Sequence, residues 1–231
     1  MKIISLIPAR KGSKGIPQKN IKLFKNEPLI VHSIKLSNQS SYISDTIVTT
    51  DCEDIANICK KNLANVPFLR PSDISGDLSL DSEFIEHYIN WAITQNKLPD
   101  LIVQLRPTYP NRTLSNLNKM IEIMIKNPDY TSLRTVIEIT KSPYKMYRNI
   151  DNVLVPLFEE VDGIKEPYNN CRQNLPEIYL HNGYIDIIRV SSYLKDKSIT
   201  GKKIYPYIMN KEEVDDIDNI EDWEKAEKKN I

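Results

Sequence analysis

The sequence predicts an α/β fold of three layers, a mostly parallel sheet between two layers of helices. Three observations predict it. Apolar and β-branched runs alternate with stretches of helical period through the first 130 residues. Prolines and charged turns fall largely between those runs. The 231 residues are 40% hydrophobic and 27% charged, ordinary for a chain that buries one sizeable core.

The elements follow in order. Residues 2–7 form an apolar strand. Pro28 opens a helix with Ile30, Val31, Ile34 and Leu36 inward, because a first helical turn has no use for the N–H that proline lacks. Residues 46–50 are a β-branched run, 54–61 a short helix and 66–69 a short strand. Asp81 stands as an N-cap or first-turn carboxylate before Phe84, Ile85, Tyr88, Ile89 and Ala92, one face of a helix. Residues 101–105 are a buried strand, ended by Pro107 and Pro110. Leu114, Leu117, Met120, Ile121 and Met124 give another helical stripe, and residues 132–139 are strand-like. Residues 140–178 have no clear period and are rich in Tyr, Pro, Asn and charge, which predicts an arm inserted into a single domain of residues 1–231. Residues 184–188 form a core strand, and a last helix begins near Ile220 with Trp223 and Ala226.

Composition excludes several classes. Lys plus Arg equals Asp plus Glu at 31 each, so bulk attraction to nucleic acid is not expected. No run reaches the roughly twenty apolar residues of a membrane helix, and the opening run is too short for a leader. Cys52, Cys59 and Cys171 lack zinc-site spacing and read as reduced thiols of a cytoplasmic protein.

The densest chemical signal directly follows the first strand. Ala9, Arg10, Lys11, Gly12, Ser13 and Lys14 lead to Lys19 and Asn20, so cations and glycines crowd where an open sheet places nucleotides. Glycine lets backbone N–H groups approach anionic oxygens, and the cations neutralise them. An ordinary solvated loop is the plain alternative. The spacing matches neither a P-loop nor a dinucleotide fingerprint. Arg70, near Asp77 and Asp81, is a phosphate clamp or a surface ion pair. Arg106, Pro107 and Arg112 belong to a rigid loop that could read a base or sugar. Arg172, Gln173, His181 and Asn182 are loop signals with little weight alone. Asp216 and Asp218 flank an apolar residue; in an extended segment both face one way, as a hard divalent ion requires. A helix-terminal acidic cluster has the same spacing.

Residues 7–21, Ile-Pro-Ala-Arg-Lys-Gly-Ser-Lys-Gly-Ile-Pro-Gln-Lys-Asn-Ile, resemble the signature of the acylneuraminate cytidylyltransferase family, the CMP-nonulosonic acid synthetases. The resemblance continues in order through Arg70, Asp77, Asp81, the Arg106–Arg112 loop, Arg172, Gln173, Asn182, Asp216 and Asp218. It implies a Rossmann-like fold of the nucleotide-diphospho-sugar transferase type. The implied reaction transfers CMP from CTP to a sialic, legionaminic or pseudaminic type acid and releases pyrophosphate. Arg10, Lys19 and Asp218 would be catalytic. Ala9, Gly12, Ser13, Lys14, Asn20, Arg70, Asp77, Arg106 and Pro107 would join Arg10 around the nucleotide. Arg112, Arg172, Gln173, Tyr179 and Asn182 would meet the sugar, Asp216 and Asp218 would hold Mg²⁺, and the arm would make a homodimer. Arg106 and Tyr109 stand where relatives often carry Gln and Ser, which marks them as substrate-reading positions. The same chemistry on another nucleotide or acceptor, and a non-catalytic nucleotide-binding module, are the alternatives.

Overall fold

The computed structural model describes residues 1–229. β1 (Ile3–Pro8) is followed by a small hairpin of β2 (Leu23–Phe24) and β3 (Glu27–Pro28), then by α1 (Leu29–Gln39) and β4 (Asp45–Thr49). Next come α2 (Glu53–Lys61), α3 (Asp81–Thr94), β5 (Leu101–Gln104), α4 (Leu114–Lys126) and β6 (Ser132–Glu138). The excursion holds two hairpins, β7 (Tyr147–Ile150) with β8 (Val153–Pro156) and β9 (Glu160–Val161) with β10 (Ile164–Lys165). The chain returns as β11 (Tyr179–Arg189), α5 (Val190–Asp196), β12 (Ile204–Met209) and α6 (Ile220–Lys228).

The central sheet has six strands in the order β12-β6-β11-β5-β1-β4, all parallel except β11. Alternation along β1 explains the layers. Ile3 and Ile7 pack with α1, α2 and α4, whereas Ile4 and Leu6 pack with α3 and α5 on the opposite face. A third cluster, with Phe24, Leu29, Ile217 and Trp223, ties α6 to the start of α1. Helix starts are set by local chemistry. The Thr113 hydroxyl accepts from Asn116 N at 3.2 Å before α4, and Glu83 reaches back to Leu80 N at 2.6 Å before α3.

From β1 the chain moves outward to β4, then returns to β5 on the other side of β1. That reversal opens a crevice beyond the carboxyl ends of these strands.

The structure amends four expectations. Residues 66–69 form no strand; the segment makes only isolated bridges, Ile47 with Asn65 just before it and Thr50 with Leu69, and Pro67 cannot donate to a ladder. β11 begins at Tyr179, five residues before the expected start at Tyr184, and is interrupted between His181 and Asp186. α5 and β12 were not anticipated. β12 contains Pro206, which an edge strand tolerates. The arm is partly regular, in short hairpins.

Candidate active site

At the crevice lies a cavity of about 400 Å³. One wall is the loop after β1. Pro8 ends the strand, and Ala9 N bonds Thr49 O at 3.0 Å, which anchors the loop to β4. Asn20 Nδ2 donates to Arg10 O at 3.0 Å and closes the loop on itself. Arg10, Gly12, Ser13, Lys14, Lys19 and Asn20 all line the cavity. Arg10 and Lys14 grip the Asp77 carboxylate at 2.7 and 2.9 Å. The Lys14 bond, then the Arg10 bond, hold the Asp77 pKa below the usual carboxylate range although burial opposes them. This pair of cations already accepts an anion.

Arg70 supplies the opposite side. Its backbone N is fixed to Thr50 O at 2.7 Å, and its guanidinium lies 5.6 Å from the Phe84 ring. It is 6% exposed, and its Nε and Nη2 have no partner among the described residues. Burial lowers its pKa, with Asp51 the strongest opposing charge. The surface ion-pair alternative therefore fails: Arg70 is a buried donor facing the cavity with unused bonds.

Asp218 reaches the cavity from the chain segment before α6. Gly15 lets the two segments meet: a Cβ there would lie 1.9 Å from Asp218 O. Lys19 Nζ bonds Ile217 O at 2.7 Å and lies 3.9 Å from Asp218. Burial lowers the Lys19 pKa against the pull of Asp218 and Asp216. Ile217 is fully buried, and its N–H bonds Thr108 O at 3.0 Å. Capping of α6 falls to other residues: Asn219 Oδ1 accepts from Asp222 N, and Asp222 accepts from the backbone N–H groups of Asp218 and Asn219. The side chains of Asp216 and Asp218 take no part in these capping bonds.

The two carboxylates differ. The Asp218 side chain is 76% exposed and reaches no donor among the described residues closer than Lys19 at 3.9 Å, whereas Asp216 accepts from Tyr109 Oη at 2.7 Å. Burial, more than the nearby Asp218, raises the Asp216 pKa. The Tyr109 hydroxyl also meets Asn182 O.

Asp216 lines a second cavity of about 680 Å³, with Asn182, His181 and Arg134. Asp81 and Arg106 line both cavities. Arg106 bonds Asp81 at 2.5 Å and Asp186 at 2.8 Å. Burial alone would lower its pKa, but Asp186 and Asp81 outweigh it and raise the value. Gly183, at φ +73, lets β11 turn beside this pair; a Cβ there would lie 3.2 Å from Arg106 Nη1.

Other expected site residues take different positions. Ala9 packs into the core, 1% exposed, and is not in the cavity wall. Arg112 points inward. It donates to Tyr184 O, Tyr109 O, Arg106 O and Ser33 Oγ, and the Tyr109 and Tyr184 rings flank it. Burial pulls its pKa down to about 9, which leaves it charged at neutral pH. It shapes the loop and does not line the two cavities. Arg172 and Gln173 line a separate cavity with residues 138–140. Tyr179 is exposed and bonds Glu177 at 3.1 Å. Pro107 lines the first cavity, joined by Thr108, Ser79 and Phe84. Those three carry no sequence signal because each is chosen by position, not by unusual chemistry.

Three comparisons bear on this geometry. The family profile described as Cytidylyltransferase matches residues 4–225. The N-acylneuraminate cytidylyltransferase of Escherichia coli O18:K1:H7 is 32% identical over 97% of this chain, which spans 51% of that protein's length. The CMP-N,N'-diacetyllegionaminic acid synthase of Legionella pneumophila is 33% identical over 99% of this chain and 96% of its own. Among solved structures, CMP:2-keto-3-deoxy-manno-octonic acid synthetase complexed with CTP superposes with a TM-score of 0.67 at 14% identity. It covers 98% of this chain and 97% of its own.

Proposed function

Because the chain belongs to the cytidylyltransferase family, we propose that it transfers CMP from CTP to an acidic sugar of the sialic, legionaminic or pseudaminic acid type, with release of pyrophosphate. One observation carries this reading. A cation-lined cavity and a larger neighbouring cavity share the Arg106–Asp81 wall, with Asp218 on the first and Asp216 on the second. A triphosphate in the first and a sugar in the second would meet at that wall.

In this reading the triphosphate displaces Asp77 from Arg10 and Lys14 and takes up the unused donors of Arg70. Lys19 neutralises charge at the reacting phosphate. The anomeric hydroxyl oxygen attacks the α-phosphorus in line. The new O–P bond forms, the bond to pyrophosphate breaks, and the hydroxyl proton passes to solvent. Catalysis is mainly positioning and charge neutralisation. No group of three or more His, Cys, Asp or Glu side chains suited to a metal occurs among the described residues. A pair of carboxylates fits Mg²⁺, which needs one or two and completes its shell with phosphate oxygens and water. Asp216 and Asp218 would hold it, and when bound it supplies Lewis-acid stabilisation of the phosphoryl group.

The arm presents exposed Ile150, Val153 and Leu154. We assign it to a homodimer contact, which would bring Arg172 and Gln173 near a partner's site. No helix among the described residues is long and apolar enough to cross a membrane. Three free cysteines fit a reducing, cytoplasmic setting.

The test is pyrophosphate release with each of the four nucleoside triphosphates paired with each nonulosonic acid. CTP with one of these acids should react, and Asp218→Asn should abolish the Mg²⁺-dependent rate. A CTP-induced thermal shift without turnover would establish a binding module instead.

A further inference from the structure

On the sheet face covered by α3 and α5, Gln104, Asp186 and Arg134 stand in one row. Asp186 pairs in register with Gln104 of β5 on one side and with Arg134 of β6 on the other. The neighbouring row on that face holds Ile102 and Ile188, part of the apolar core. The chain thus places a line of polar groups just where the face leaves the core and meets the larger cavity.

The charges in that line do not pair evenly. Asp186 Oδ2 accepts from Arg106 at 2.8 Å, and Oδ1 bonds His181 Nε2 at 2.8 Å. Asp81 Oδ2 accepts from Arg106 at 2.5 Å and from Gln104 Nε2 at 2.9 Å. Tyr109 donates to Asp216 at 2.7 Å. Lys197, at the cavity edge, lies 3.9 Å from Glu86. Arg134 is left over. It is half-buried and lines the cavity of about 680 Å³, yet it makes no hydrogen bond or ion pair among the described residues. Asn182 Nδ2, in the same wall, is buried without a partner.

A half-buried guanidinium at a cavity wall, with no anion among the described residues, keeps its donors free for an anionic ligand. Its planar fork suits a carboxylate, which it binds through two parallel bonds. We propose that Arg134 binds the carboxylate of the acidic sugar and so selects acids over neutral acceptors. This rests on the proposed CMP transfer. It distinguishes Arg134 from Arg172, which the family resemblance puts among the residues meeting the sugar and which lines a separate cavity.

The experiment compares wild type, Arg134→Leu, Arg134→Lys and Arg172→Leu. The probes are the best acid of the panel above and its methyl ester. Wild type should prefer the acid over the ester by roughly 10- to 100-fold in kcat/KM, the range for a charged hydrogen bond. Arg134→Leu should lose that preference through a higher sugar KM, with the KM for CTP unchanged, and Arg134→Lys should recover part of it. Arg172→Leu should keep the preference. An unchanged acid-to-ester ratio in Arg134→Leu, or its loss in Arg172→Leu instead, would overturn the assignment while leaving CMP transfer intact. Absence of turnover by wild type with every acid would overturn both.

Discussion

The arginines show how one residue type takes separate roles. Arg10 and Arg70 face the cavity of about 400 Å³, Arg106 forms the wall between the cavities, and Arg112 is an internal staple. The sequence placed Arg112 with the substrate because a basic loop after a strand looks the same whichever way its side chain turns. Its four acceptors are neutral, so Arg112→Leu leaves several buried carbonyls unpaired. Urea unfolding should show a loss of about 3 kcal/mol. Asp186 allows a test with a sign. Burial would raise its pKa, but His181 and Arg106 prevail and hold it below the ordinary carboxylate value. Its stabilising contribution is therefore fully present above about pH 4 and fades as pH falls through the folded-state pKa. Asp186→Asn should cost about 3 kcal/mol at pH 7, and the gap from wild type should shrink at pH 3. A gap that persists undiminished at pH 3 would place the loss in packing and not in charge.

Among the elements, the loop after β1 and the segment before α6 work as a pair because Gly15 lets them touch. Gly15→Ala would push Asp218 away from Lys19. A displacement near 1 Å at a reacting centre costs on the order of 100-fold in rate. Steady-state kinetics should show that loss together with a lowered melting temperature, because the clash is with backbone, and a mild effect on both would remove the close approach from the account. Most helices were legible in the sequence because their apolar positions, such as Phe84, Ile85, Tyr88 and Ile89, recur at helical spacing. The basic loop was legible through its density of cations and glycines. α5 and β12 were not: α5 continues directly from β11 without a break signal, and β12 carries a proline that reads as a loop. Arg134 was hidden as well, since a lone arginine in a strand reveals nothing until its neighbours' charges are paired off.

At the scale of the whole molecule, the antiparallel β11 separates the β5-β1-β4 half of the sheet, which carries the basic loop, from the β12-β6 edge. Its interruption at Gly183 and the row of Asp186 form the boundary where two substrates would meet. If the arm's exposed Val153 and Leu154 are covered by a second copy, Leu154→Asp should shift the sedimentation coefficient from dimer to monomer. A wild-type monomer at micromolar concentration would contradict the homodimer. The central claim concerns the fate of one phosphorus atom. Phosphorus NMR of the protein with CTP, Mg²⁺ and a nonulosonic acid tests it most directly. The account predicts that the α-phosphorus of CTP moves to a sugar phosphodiester as inorganic pyrophosphate appears in equal amount. CTP that stays intact with every acid, or is cleaved to free CMP without a sugar adduct, would contradict it.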